Sequence, residues 1–522
     1  MLRLNNIGRY GSRRVLFYSR GLAVFLIALY LFGLSFSGAA QAESMPSELV
    51  LTGKLSGKDH QTYVKAPFEV PEGVERITIE FSYTGKDQRT VVDLGLYDPN
   101  GLRGWSGGNK TWFTVARNDA SPSYLPGPIS PGKWHLLLGI PNIRKNVEAT
   151  YTARVTFTGG DAEPITGFLK APIDAKPNWY RGDFHSHTGH SDGNCNSISG
   201  KRIPCPAFRT LEAARLANLN FISVTEHNTI SHHSVLRELQ AYYDTLLIIP
   251  GREITTFFGH MNAIGPMAPL EFQLGSNQLP IVDDLSKEVR RQGGIISINH
   301  PGMPSGEDCM GCGFVAPNVD YSLFDAVEIA NGGTMHLVKS AEGIFSHIPK
   351  WESLLNDGFR LTGIGGSDSH DPDASLDRQL PVGQPTTVVY AKELSQAGIL
   401  DGVRSGRVFI DVAGNSQAMV DMVAKGPRAI ANMGSVIALG PRESASVTID
   451  VRNLAEGRVE LVLGRDAPSI TLSDSRLDGR DRQRTFIAPF AAKPYWARVN
   501  VRDTSGRLIL ISNPIYFRPD IR

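Results

Sequence analysis

Phe221-Ile222-Ser223-Val224-Thr225-Glu226-His227 decides the fold. Four apolar-rich residues at strand length stop at an acidic residue and a histidine. The same sentence structure repeats downstream. Leu246-Leu247-Ile248-Ile249 leads to Gly251-Arg252-Glu253, Gly294-Ile295-Ile296-Ser297-Ile298 to Asn299-His300-Pro301, and Leu361–Ile364 to Gly365-Gly366-Ser367-Asp368-Ser369-His370. Between these runs, Thr210–Asn218, Val282–Gln292 and Lys392–Arg404 place apolar residues at helical spacing. Strands alternating with helices predict a mostly parallel α/β sheet or barrel from about residue 177 to 411.

The flanks read differently. From about Glu48 to Gly160, alternating stretches such as Arg76-Ile77-Thr78-Ile79-Glu80-Phe81 are cut by Pro99-Asn100-Gly101 and Pro131-Gly132-Lys133, which predicts a β-sandwich. Trp105, Trp112 and Trp134 there fit core packing better than a carbohydrate platform. Short strands return after about Ala431, including Ser446–Val451 and Tyr495–Val501, and predict a second small sandwich. The expected organisation is therefore a leader over residues 1–42, a sandwich over 43–165, an α/β unit over 178–415 and a sandwich over 430–522.

The leader carries Arg3, Arg9, Arg13, Arg14 and Arg20, no acidic residue, an apolar run Leu22–Phe36 and then Ala40-Gln41-Ala42. These are the parts of a cleaved export signal, and they predict a periplasmic or extracellular protein. Ser12-Arg13-Arg14-Val15-Leu16-Phe17 also resembles a twin-arginine signal, with the general secretory route as the alternative. The whole chain of 522 residues has a formal charge of +1; losing five arginines leaves 48 basic against 52 acidic residues. A mildly acidic protein has no generic attraction for nucleic acid, and no later segment is apolar enough to span a membrane. Gly and Pro, 53 and 32 residues, suit loop-rich β-structure rather than helical bundles. Cys195, Cys205, Cys309 and Cys312 predict the disulfides Cys195–Cys205 and Cys309–Cys312, with a four-thiolate zinc site as the poorer match.

Of 13 histidines, 11 lie between His185 and His370. In parallel α/β folds the C-terminal strand ends carry the active site. His185-Ser186-His187 at a strand end places both imidazoles on one face, because side chains in a strand repeat every second residue. Five strand ends bringing His, Asp or Glu to one rim predict a metal centre, with Glu253 able to bridge two cations. Each histidine alone has the reading of a hydrogen-bonded structural residue; the set does not. Gly-x-Ser-x-Gly occurs at Gly104–Gly108 and Gly189–Gly193, but neither sits between a strand and a helix, and no phosphate-binding P-loop is present.

H-x-H-T-x-x-S-D-G from His185, then T-E-H, G-x-E, G-H-x-N, N-H-P and G-S-D-x-H in this order, resemble the PHP (polymerase and histidinol phosphatase) superfamily of metallohydrolases. Trp496-Ala497-Arg498-Val499 and Asn513-Pro514-Ile515 resemble its CehA/McbA-type branch. The resemblance implies a distorted (βα)7 barrel holding two to three divalent ions, with Mn, Zn and Fe all compatible with imidazole and carboxylate ligands. It implies His185, His187 and Asp368 on a first metal and Glu253 bridging to a second completed by His260 and His300. Asp192, His227 and His370 would hold a third. It further implies hydrolysis of a small phosphomonoester or phosphodiester by a hydroxide held between metals. Glu253 and Asp368 are central to that chemistry, and His190 is the candidate proton donor, with a loop histidine as its plainer reading. Glu226 is expected to orient a ligand imidazole. His232, His233, His336 and His347 are expected to be solvated. Arg252, Lys201 and Arg202 are expected to be surface or ion-pair residues, with contact to an anionic substrate as the sharper reading. Two other functions compete: hydrolysis of a carboxylic or carbamate ester at the same site, and glycan binding by a non-catalytic envelope protein. The sequence leaves the oligomeric state open.

Overall fold

The computed structural model describes residues 47–520, apart from 160–167, 170, 308–310, 415–416, 473 and 479–481. The expected export signal and Cys309 lie outside the described residues. The fold is mixed α/β, built mostly of strands in several sheets. Among the described residues no helix is long and apolar enough to cross a membrane.

Residues 48–159 form two four-stranded antiparallel sheets. Alternation decides which faces meet: Ile77, Ile79 and Phe81 of Val74–Tyr83 are buried, while the residues between them are not. Phe68 of one sheet lies 6.4 Å from Phe157 of the other, and Trp134 is fully buried with its indole N–H on the Ser130 carbonyl. That tryptophan is core.

The α/β region comprises β1 (Asn178–Asp183), α1 (Ala207–Leu216), β2 (Phe221–Val224), α2 (His233–Gln240), β3 (Leu247–Thr256), β4 (Gly259–Ile264) and α3 (Val282–Arg291). It continues with β5 (Ile295–Ile298), β6 (Ala326–Asn331), α4 (Gly332–Val338), α5 (Ile348–Asn356), β7 (Thr362–Gly366), β8 (Thr386–Ala391), α6 (Gln396–Arg404) and β9 (Val408–Asp411). Hydrogen-bonded neighbours run β7-β6-β5-β4-β3-β2-β1-β8-β9. Every residue of β2, β5, β6 and β7 is buried, as strands covered on both faces require. α1 and α2 cover β2 and β3 through Leu211 and Leu236 against Ile222, Val224 and Ile248.

Two features depart from a uniform parallel βα repeat. β4 runs antiparallel to both β3 and β5, as a hairpin return from β3 must, and β8 runs antiparallel to β1. The ends of the β7…β8 run meet through side chains rather than a ladder. Thr387 Oγ1 of β8 accepts from Gly365 N and donates to Gly365 O, both at 2.7 Å, and Asn513 likewise satisfies Gly363 N and O at 2.7 and 2.8 Å. A free edge inside the protein would leave those groups unpaired.

The last region shares this sheet. β9 pairs with β11 (Leu508–Ser512), which pairs with β10 (Tyr495–Arg502), so the α/β ladder runs on without a break. A separate four-stranded sheet holding Met419–Lys425 and Ser444–Arg452 packs on it, burying Val420, Met422, Val447 and Ile449 with Phe409 and Val499.

Candidate metal centre

The loop after β1 begins on a buried carboxylate. Asp183 accepts from His185 N (3.1 Å), Ser367 N (3.0 Å) and Gly383 N (2.8 Å), so it ties the ends of β1 and β7 to one another. Asp368 N in turn donates to His185 O at 2.8 Å, and His187 N to Ser369 O at 2.9 Å. The two motifs furthest apart in sequence are thereby laid side by side. Gly366 is required here, because a Cβ would lie 2.4 Å from Glu328 Oε1 and 2.5 Å from the His185 Cβ. Asp368 (φ 52°) and His300 (φ 27°) both adopt the left-handed region that side chains disfavour, a form of strain that clusters at functional sites.

The disulfide Cys195–Cys205 closes a small hairpin beside this loop. Gly189 N donates to Cys205 O (2.7 Å), and Asn194 N to His370 O (2.7 Å), so the hairpin fastens the Asp192 loop to the His370 loop.

Glu253, on β3 and 1% exposed, is the centre of the arrangement. Five imidazoles face its two oxygens: His227 Nδ1 at 3.0 Å, His260 Nδ1 at 3.3 Å, His185 Nε2 and His300 Nε2 at 3.4 Å, and His187 Nε2 at 3.6 Å. Asn299 Nδ2 adds a hydrogen bond at 2.8 Å. Asp368 Oδ1 lies 3.2 Å from both His185 and His187. Asp192 Oδ1 and Oδ2 lie 3.4 and 3.6 Å from His370 and His227.

Three sets of these side chains could each hold one cation. They are His185, His187 and Asp368; His185, Glu253 and His300; and His187, Asp192, His227 and His370. His260 stands outside the second set, though it touches Glu253. His190 belongs to none: it is half-buried, with Nδ1 2.9 Å from Ser231 Oγ.

The tautomers argue for a cation. His300 Nδ1 meets the Cys312 carbonyl (2.8 Å) and His370 Nδ1 the Asp368 carbonyl (2.9 Å). A carbonyl only accepts, so each Nδ1 carries its hydrogen and a neutral ring points a bare Nε2 lone pair at a carboxylate. Two acceptors facing one another need a proton or a metal ion between them. His185 Nε2, His187 Nδ1 and His260 Nε2 are also buried without a hydrogen-bond partner among the described residues. The donor set therefore fits divalent cations.

In the cation-free protein, protons fill that role. Burial lowers His227, but Asp192 and Glu253 outweigh it and raise it to about 10; His370 rises to about 9 against its burial, through Asp192 and Asp368. Burial, followed by repulsion from His370, takes His187 down to about 4. Burial pushes Asp192 up, but His227 and His370 overcome it and hold the carboxyl well below the usual range. Raised imidazoles are protonated at pH 7 and must lose that proton to ligate, so uptake of Zn or Mn is expected to release protons and to strengthen as pH rises toward 9. Calorimetric titration at pH 7 in two buffers of different ionisation enthalpy reads the number released. A buffer-independent heat would contradict this arrangement.

Two residues absent from the sequence reading complete the site. Glu328 on β6, 1% exposed, takes His185 Nδ1 (3.0 Å), His300 N (2.9 Å) and Asn331 Nδ2 (3.0 Å); Asn331 Nδ2 also reaches Asp368 Oδ2 at 3.2 Å. One carboxylate thus holds the His185 ring, the His300 backbone and, through Asn331, Asp368. The sequence signal was an acid inside the apolar run Ala326-Val327-Glu328-Ile329, another strand that stops at this rim. Glu328→Gln is expected to weaken metal binding 10- to 100-fold. Competition against a chelator of known affinity measures it, and unchanged affinity would remove Glu328 from the positioning role.

Several expectations are corrected. His232, His233 and His347 are buried, not solvated. His232 Nε2 donates to Gly251 O (3.0 Å) and Val224 O (3.2 Å), and His347 accepts from Gly302 N at 3.0 Å. They hold backbone carbonyls and amides that the strand ends leave unpaired. Glu226 does not orient an imidazole; it accepts from Thr188 N (2.8 Å) and from the Thr188 and Ser191 hydroxyls, clamping the loop that presents Asp192. Arg252 is 2% exposed and donates to the Ala268 carbonyl, outside any ion pair found among the described residues. Arg202 pairs with Asp371 at 2.8 Å. A cavity of about 370 Å³ lies between Asn356–Gly358 and Trp496 and Tyr516, and none of the centre's histidines or carboxylates lines it.

No protein-family model matches the chain, and no curated protein matches it. Among solved structures it is similar to a two-domain protein from Bacteroides vulgatus ATCC 8482 that contains a predicted PHP-like metal-dependent phosphoesterase. Identity is 19%, with 66% of this chain and 98% of that one covered and a TM-score of 0.36. It also matches PliG from Salmonella Typhimurium, a periplasmic inhibitor of g-type lysozyme, at 15% identity over 22% of this chain and 88% of that one, with a TM-score of 0.14. The reading of the site rests on its side chains.

Proposed function

We propose that the protein is an exported metal-dependent hydrolase of the PHP type that cleaves small phosphomonoesters or phosphodiesters. The observation that carries this reading is Glu253 with five imidazoles within 3.6 Å. An ionised carboxylate offers about four lone-pair positions, so it cannot accept from five rings and Asn299 together. The surplus is what ligands to shared cations look like.

In this reading His185, His187 and Asp368 hold one metal, Glu253 with His300 and His260 a second, and Asp192, His227 and His370 a third. Divalent ions held by these residues would supply a Lewis acid for a phosphoryl oxygen and a water nucleophilic at neutral pH. The chain's own contribution is positional. Glu328 and Asn331 fix the rings and carboxylate of the first two sets, and Glu226 fixes the loop of the third. His190 stands on that loop, between Thr188 and Ser191. Burial lowers its pKa, so at neutral pH it suits accepting a proton better than giving one, and it would serve a leaving group as pH falls.

The test is purified protein assayed for bound metal and screened on p-nitrophenyl phosphate, bis(p-nitrophenyl) phosphate and aryl carbamates. Metal-dependent turnover of a phosphoester is expected. Turnover of carbamates alone would assign the same centre to carbon esters, and fewer than two metals per chain would overturn the proposal.

A further inference from the structure

The β3–β4 hairpin turns on two phenylalanines. Thr256 pairs with Gly259, so Phe257-Phe258 forms the connection, a place where Gly, Asn or Asp is the usual choice. The turn is closed by Gly259 (φ 147°) at a site where a Cβ would lie 2.4 Å from the Phe314 ring. Phe257 is 83% exposed and Phe258 38%. Nothing in turn formation asks for phenyl rings in water.

The strand period relates these rings to the metal centre. Glu253 and Thr255 share a face of β3, and Phe257 follows two residues after Thr255, in the turn. His260, opposite Thr255, and Phe258 stand in the same relation on β4. Thr255 Oγ1 lies 2.6 Å from His227 Nδ1, and His260 touches Glu253, so both strands are anchored on the centre just before they turn. Each phenylalanine is two residues from its anchor, about 7.6 Å or less between Cα atoms. A second segment arrives the same way: the Cys312 carbonyl holds His300, and three residues on Val315, 60% exposed, donates its N–H to the Phe258 carbonyl at 2.7 Å.

From this we infer that Phe257, Phe258 and Val315 form an apolar lip that receives the aryl or alkyl group of the substrate, so that the ester cleaved at this centre carries an apolar substituent. The inference rests on the proposed function for the reacting group and adds the class of its substituent. Continuity with the centre is what commits the lip to substrate, because the two segments that expose these side chains are the ones that hold His227, His260 and His300.

The experiment measures binding, not turnover. Metal-loaded protein is titrated with phenylphosphonate and with methylphosphonate, neither of which can be hydrolysed at the P–C bond as an ester would be. The phenyl compound is expected to bind about tenfold tighter, the scale of a modest apolar contact. Phe257→Ser with Phe258→Ser should bring the two affinities within about twofold of each other while leaving methylphosphonate affinity unchanged, which also shows that the variant is folded. Phe257→Leu with Phe258→Leu should keep the preference. A wild-type protein with no preference, a serine variant that retains it, or a serine variant that loses methylphosphonate affinity equally would overturn the inference. Phenyl-selective binding without hydrolysis of any phosphoester would leave the lip standing and overturn the proposed function instead. Failure of both phosphonates to bind would overturn both.

Discussion

Glu253→Gln is expected to lower metal-dependent turnover about a thousandfold and to leave the protein short of metal. The side chain is fully enclosed, and the substitution keeps its shape while removing the charge that faces His185, His187, His227, His260 and His300. Breaking a buried charged arrangement by neutralising one member costs about 3–5 kcal/mol, and each 1.36 kcal/mol is a factor of ten. Because the same carboxylate faces every imidazole set, the loss should appear in metal content as well as in kcat/KM. Elemental analysis of the purified variant and rates measured across a metal titration check it. A glutamine variant with full metal content and a rate within tenfold of the parent would remove Glu253 from the centre of the chemistry.

The second large effect is on stability and lies away from the candidate metal centre. Glu352→Ala is expected to destabilise the fold by about 3 kcal/mol. Its partner is Arg498 of β10, 2% exposed, which donates through Nε at 3.2 Å and also reaches Asn500 Oδ1 at 2.6 Å. Removing the carboxylate leaves a guanidinium enclosed beside the Trp351 ring with the Asn500 amide in hydrogen-bond contact and only the charges of Glu460 and Glu342 to oppose its own among the described residues. Replacing both residues, Glu352→Ala with Arg498→Met, should recover most of the loss, since no buried charge then remains. Urea unfolding of the parent and both variants reads the difference. A single-variant loss below about 1 kcal/mol would mean that water reaches Arg498 freely.

That pair also shows where sequence reading stops. Trp496-Ala497-Arg498-Val499 looks like one more alternating strand, and the period of two says which residues share a face. It does not say that the arginine's face turns inward onto α5. Nor does it say that this strand belongs to the sheet that carries the centre; a region read as a separate sandwich proves to continue the α/β ladder through β9, β11 and β10. Strand pairing between residues a hundred positions apart leaves no periodic trace in either segment.

The buried histidines make the same point. His232, His233 and His347 look, one at a time, like polar loop residues. Only the fold brings Gly251 O, Val224 O and Gly302 N to them, and those groups need partners. Glu328 was hidden for the opposite reason: inside an apolar strand a lone acid reads as noise until His185 and His300 are found against it.

What the sequence determined by itself is the set of strand ends and the chemistry concentrated there. An apolar run that stops before His300 or Asp368 is a local fact, fixed by hydrophobic period and by turn residues within a few positions, whereas Glu253 lies inside β3, which runs on to Thr256. The meeting of those ends was decided by the tertiary structure alone. Asp183 joins β1 to β7, Thr387 and Asn513 satisfy the outer edge of β7, and the Cys195–Cys205 hairpin binds the Asp192 loop to the His370 loop. Each of these links satisfies a buried polar group, and which group needs satisfying is known only once the chain has been folded around it.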